Sequence, residues 1–197
     1  GLDIWKGIDA DYVVHTNHFK GGEIIGSYLK QKGYEHLVYF ETSNPSKTTD
    51  ERRIGFQKGW VDSGGILNQI KVLDIVPVLG KGQVLPSFKE REFLKPVVAK
   101  NIKEADSIFA FCDMWALEIC SIIHEMGVRI PEDIAVAGFD GKYEALTNQP
   151  QLTTVGQDYE QIAQVVMDIV VNQMINGNMP ESQEVRIEPK LLTGASA

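Results

Sequence analysis

Only two cysteines occur in 197 residues, so no disulfide framework holds this fold together. Cys112 and Cys120 lie eight residues apart on one expected helix, too far to bridge each other, and read as buried, reduced thiols. Long apolar runs are also missing. None approaches the roughly 20 residues a membrane helix needs. GLDIWKGIDADY at the start has neither the basic opening nor the apolar centre of a signal peptide. Basic charge is scarce as well: 19 Lys and Arg stand against 27 Asp and Glu, a net charge of −8. A polyanion binder needs clustered cations, so this chain by itself is a poor one. Low-complexity stretches and internal repeats are absent. What remains is an ordinary globular mix, 43% hydrophobic and 23% charged, long enough to bury ~70% of its unfolded surface.

Apolar, β-branched runs occur at Tyr12–His15, His36–Thr42, Gln69–Val78, Ala105–Phe111, Ile134–Ala137 and Glu184–Ile187. Helical patterns fill most of the gaps, an alternation that predicts an α/β fold with mostly parallel sheet. Gly33, Gly64, Gly127 and Gly177 fall where helices should close. Tyr159–Asn176 is the clearest helix, capped by Asp158, with Ile162, Val165, Val166, Ile169 and Met174 as its apolar stripe. Trp115–Met126 is a second, with Asp113 placed to cap it. Pro96 should kink or shorten a helix over Lys89–Lys100. Val76–Ser87 reads as a loop.

Catalytic motifs do not emerge. Gly80-Lys81-Gly82 lacks the spacing of a phosphate loop, and Gly21, Gly22 and Gly26 are not a dinucleotide fingerprint; they read as close packing after a strand. His15 and His18 have no marked third metal ligand and read as a solvated pair. No serine, cysteine or carboxylate pair has a nucleophile's surroundings, so no catalytic residue, metal or cofactor is expected. Polar residues do gather just past the expected strand ends: Asn17, Ser46 to Thr49, Cys112 with Asp113, and Asp140. An open α/β sheet binds small ligands there.

GVRIPEDIAVAGFD (Gly127–Asp140) resembles the LacI/GalR family of bacterial transcription regulators. TNHFKGGEIIGSYLKQKGYEHLVYF, ERRIGFQKGW, ADSIFAFCDMWALE, QPQLTTVGQD and EVRIEPKLLTGAS agree with it in order and spacing. The resemblance covers almost the whole chain. It implies a periplasmic-binding-protein-like effector core of type I: two parallel-sheet α/β subdomains with crossovers. Residues 1–34 and 155–177 would form an incomplete N-terminal subdomain. Residues 35–154 and 178–197 would form the C-terminal one. Helices Gly21–Lys32 and Tyr159–Asn176 would then show apolar faces without a sheet to cover them.

The resemblance also implies a site. Arg52 would hold ligand oxygens with its fork of donors, Asp140 would accept from hydroxyls, and Phe109 would offer an aromatic wall. Ser46, Asp113 and Gln157 match cleft positions. Cys112 stands where many members have Asn, and a thiol is a weak hydrogen-bond partner. Gly141 replaces a frequent second carboxylate. Lys20 falls where an acid or amide is common, which favours a phosphorylated or acidic effector beside the default sugar. The implied protein is a cytoplasmic homodimer that contacts no membrane. It would bind a small-molecule effector, and operator DNA through an amino-terminal module absent from these residues. The other reading is the sugar-binding protein of a transporter, exported and monomeric.

Overall fold

The computed structural model describes residues 12–42, 45–74, 88–176 and 183–197. Gly80–Gly82, the expected 76–87 loop around it and Gly177 lie outside them. Strands β1 (Tyr12–Thr16), β2 (Leu37–Glu41), β3 (Ile70–Asp74), β4 (Ser107–Ala110), β5 (Ala135–Asp140), β6 (Thr153–Gly156), β7 (Gln183–Ile187) and β8 (Lys190–Leu192) alternate with helices. The helices are α1 (His18–Gln31), α2 (Lys47–Asp62), α3 (Phe88–Asn101), α4 (Asp113–Glu125), α5 (Tyr143–Thr147) and α6 (Tyr159–Asn176).

Two sheets result. The larger runs β3-β2-β4-β5-β6-β8, parallel except for β8; the smaller pairs β1 with β7 in parallel. Both sides of the larger sheet are covered. On one side, α3 and α4 bury Leu94, Val98, Trp115, Ile119 and Ile123 against Val38, Ile108 and Val136. On the other, α1 and α2 bury Ile25, Leu29, Phe56 and Trp60 against Leu37, Tyr39, Phe109, Phe139 and Val155. Strands buried on both faces read as continuous apolar runs, and LVYF and IFAF do so.

The α1–α2 pair is unusually close. A Cβ on Gly22 would stand 2.1 Å from the Arg52 carbonyl oxygen, and one on Gly55 1.9 Å from that of Phe19. Gly26 and Gly59 make the same approach one turn on. Without side chains at these four positions the two backbones touch, which sets His18 beside Arg52. The expected close packing of Gly22 and Gly26 is therefore packing against a second helix. Gly33, Gly64 and Gly127 follow α1, α2 and α4 with φ of +95°, +93° and +73°, the left-handed conformation that closes helices.

Several expectations are corrected. Helix α1 is not left uncovered: it lies on the larger sheet through Ile25 and Leu29, so it does not fall with β1 in a separate subdomain over residues 1–34. β7 pairs with β1 rather than joining the larger sheet. Pro96 does not shorten α3. On α6, Ile162, Val165, Val166 and Ile169 pack toward Val14, Val185 and Ile187, but Met174 is 81% exposed. Strands β6 and β8 are too short to stand out from local pattern; each is specified by its neighbours.

Candidate functional site

The carboxyl ends of β1, β5 and β6 meet the first turns of α1 and α2. Arg52 is the centre of this meeting, with 7% of its surface exposed. Its Nε donates to His18 Nδ1 at 3.2 Å and one terminal nitrogen to the Phe111 carbonyl at 2.7 Å. The other pairs with Asp140 Oδ1 at 3.0 Å. The guanidinium lies 3.9 Å over the centre of the Phe139 ring, a cation–π contact. Asp140 Oδ1 also accepts from Gln157 Nε2 at 2.9 Å, and Gln157 Oε1 accepts from the Thr16 hydroxyl at 2.7 Å. An unbroken polar chain thus runs from the small sheet through α2 to the start of α1: Thr16, Gln157, Asp140, Arg52, His18.

Asp140 carries backbone strain. Its φ is +124°, a region that favours glycine. The strained turn at the end of β5 aims the carboxylate back at Arg52 and Gln157. Arg52 uses three of its five N–H groups within the protein, which leaves its fork two donors for further acceptors. The arrangement can present donors and a carboxylate acceptor together to a polyhydroxy compound. Arg52 and Asp140 cancel each other's charge.

Of the eight sequence-predicted residues, Arg52, Asp140 and Gln157 come together. Cys112 lies near enough to feel Asp140 and Arg52, and the other four serve other partners. Phe109 is fully buried in the core, its ring 4.9 Å from Phe56 and 5.0 Å from Tyr39, and it gives no wall to the crevice. Phe139 is the ring that touches the site. Asp113 does not cap α4; Cys112 occupies the N-cap position without a side-chain hydrogen bond. The buried Asp113 carboxylate instead accepts from the Thr154 hydroxyl and from the Lys142 backbone N–H at 2.8 Å. Burial raises its pKa to about 6, against those two hydrogen bonds. It ties β6 and the chain after β5 to α4. The Cys112 thiol is pushed up to about 12, first by burial and then by Asp140, so it is inert as a nucleophile. Ser46 caps α2, exchanging hydrogen bonds with Thr49. Lys20 pairs with Glu23 at 2.9 Å along α1, so its charge is already matched.

Sequence reasoning missed Thr16 and His18. The two histidines are not a solvated pair: His15 is 2% exposed and His18 1%. His15 Nε2 lies 2.8 Å from Glu184 Oε1, and His18 serves Arg52. Their place at the end of a strand was the available signal. Among the described residues no group of His, Cys, Asp and Glu is arranged to hold a metal, and no helix is long and apolar enough to cross a membrane.

Residues 27–197 match the family described as periplasmic binding protein-like domain. Among curated proteins, the chain is 27% identical over 184 residues to the HTH-type transcriptional repressor PurR of Erwinia tasmaniensis, covering 93% of this chain and 51% of that protein. It is 25% identical over 180 residues to PurR of Aliivibrio fischeri, covering 91% and 51%. The chain thus spans about half the length of the curated relatives it matches. A LacI family transcriptional regulator from Enterococcus faecium, solved with bound ribose, superposes with a TM-score of 0.80 at 22% identity, covering 99% of this chain and 68% of that one. One from Arthrobacter sp. FB24, in complex with lactose, gives 0.76 at 21%, covering 99% and 69%. These two likenesses establish the fold.

Proposed function

The chain belongs to the family of periplasmic binding protein-like domains, and we propose that it is the ligand-sensing part of a LacI-type, DNA-binding transcription regulator. The observation that carries the reading is the polar chain from Thr16 to Arg52 between two sheets, in a chain whose curated relatives are named repressors. A small metabolite binds between the sheets and favours one relative placement of them. Operator binding by the rest of the polypeptide then changes through differential affinity for two states, with no chemical step. Such a protein works in the cytoplasm, as a homodimer.

The effector class follows from charge. With Arg52 matched by Asp140 and Lys20 by Glu23, an uncharged sugar or sugar derivative fits better than a phosphorylated or acidic one. That keeps the default sugar and removes the weight Lys20 lent to a phosphorylated or acidic effector. Ribose and lactose, bound by structural neighbours, are sensible first probes. The test is operator binding by the full-length gene product against a metabolite panel, with Asp140→Asn as control. One neutral sugar should change operator affinity at least tenfold, and Asp140→Asn should weaken that sugar's binding by a similar factor. A gene product that is exported and binds sugar without binding DNA would move this crevice to a transport protein. Arg52→Ala is a poorer probe, because it strips the half-buried Asp140 carboxylate of its partner and should destabilise the fold.

A further inference from the structure

A second set of charges joins the two sheets at the edge of the crevice. Strand β7 brings Glu184 and Arg186; the first turns of α2 bring Lys47 and Glu51. Lys47 Nζ lies 3.6 Å from Glu184 Oε1, and Arg186 lies 3.5 Å from Glu51 Oε1. Within each element the pairs also close: Glu184 to Arg186 at 3.1 Å and Lys47 to Glu51 at 3.9 Å. Signs therefore alternate around a ring of four, and two of its sides cross from the small sheet to the large-sheet helix. His15 backs the ring from β1, its Nε2 2.8 Å from the same Glu184 oxygen. Glu184 is held below the usual carboxylate range, first by the His15 hydrogen bond and then by Arg186 and Lys47.

We propose that this ring is an electrostatic latch that sets how closely the small sheet sits against α2 before any effector arrives. Each crossing pair by itself is a weak, partly exposed ion pair. Four alternating charges act together, because separating the sheets breaks both crossings at once. The polar chain through Gln157 holds the interior of the same junction, so the latch governs its rim. An effector that prefers the latched placement gains apparent affinity in proportion to the fraction already latched. The latch concerns only the chain's own two sheets. It stands or falls without any ligand, so its failure is distinguishable from failure of the sensing role.

Salt and charge reversal test it. Spin labels at Ile54→Cys on α2 and Gln183→Cys on β7, both exposed positions, report the gap by pulsed electron resonance. Cys112→Ser and Cys120→Ala remove the native thiols. At about 0.01 M salt the screening length is ~30 Å, and at 1 M it is ~3 Å. One short distance is expected at low salt, with a longer population growing at high salt. Glu51→Arg should bring the longer population in at low salt. Adding Arg186→Glu should restore the short distance by swapping the pair. Circular dichroism checks that each variant is folded; should Glu51→Arg unfold, the salt series on the unreversed ring decides. A distance distribution that ignores salt, or a double variant no closer than the single one, overturns the latch.

Discussion

The two sheets are made by similar strand–helix chemistry, yet they differ in depth. The larger has helices on both faces, and Trp60, Tyr39, Phe56, Phe109 and Phe139 are wholly buried there. Among the described residues the smaller is packed by α6, with Val14, Ile162 and Ile187 buried beside four half-buried neighbours. Helix α6 leaves Met167, Val170, Val171, Met174 and Ile175 exposed, a second apolar stripe at helical spacing. Area removed from water sets most of the stabilisation. Among the described residues the larger sheet is therefore the more deeply buried body and the smaller one the shallower. The site sits where they meet, with Arg52 and Asp140 on the deeper side and Thr16 on the shallower side.

Truncating the two cores is the strongest test of that contrast. Phe109→Ala removes a ring stacked on Phe56 and edge-on to Tyr39, and should cost about 3–5 kcal/mol in urea denaturation. Ile187→Ala, in the small core, should cost about 2 kcal/mol, at the low end for such a deletion. Equal costs would break the comparison. Gly22→Ala comes next. Its Cβ meets backbone, the Arg52 carbonyl, which cannot swing aside, so α1 and α2 must separate. A loss of about 1–3 kcal/mol is expected, with weaker effector binding because His18 leaves Arg52.

Acid should act oppositely on the two regions. Asp113, inside the larger, titrates near 6, above its ordinary 3.8. Its contribution favours folding fully below about 3.8 and is lost as pH rises through about 6. Glu184, on the smaller sheet, is lowered below its ordinary 4.5. Its contribution is present above 4.5 and is lost as pH falls through its lowered value. Carboxyl carbon NMR should give midpoints on opposite sides of the ordinary range; two unshifted midpoints would erase the distinction. The smallest effect is expected from Met174→Gln on the exposed stripe, within about 0.5 kcal/mol, measured beside Phe109→Ala.

Much of this was legible in the chain. The βα alternation, the closing glycines Gly33, Gly64 and Gly127, and the Asp158 cap of α6 are local features, and they lie where the residues indicate; Arg52 and Asp140, drawn from motifs, are brought into contact. Gln161 N–H does donate to Asp158, at 3.0 Å. Two of the failures share a cause. Phe109 and Asp113 are near the crevice in sequence terms, yet each side chain answers to a partner far away in the chain, Phe56 and Thr154, whereas Ser46 is taken up locally by Thr49 as the cap of α2.

By itself the sequence determined periodicity, and with it the class of fold and which strand ends carry polar groups. Periodicity is local, because a pleat alternates every two residues and a helix turns every 3.6. Tertiary structure alone decided which strand lies beside which, that β7 joins β1, and that four glycines let α1 touch α2. It also decided that Thr16 and His18 belong with Arg52, from residues up to 141 positions apart in the chain. Such contacts depend on register and close approach between distant segments, and no window of neighbouring residues contains them.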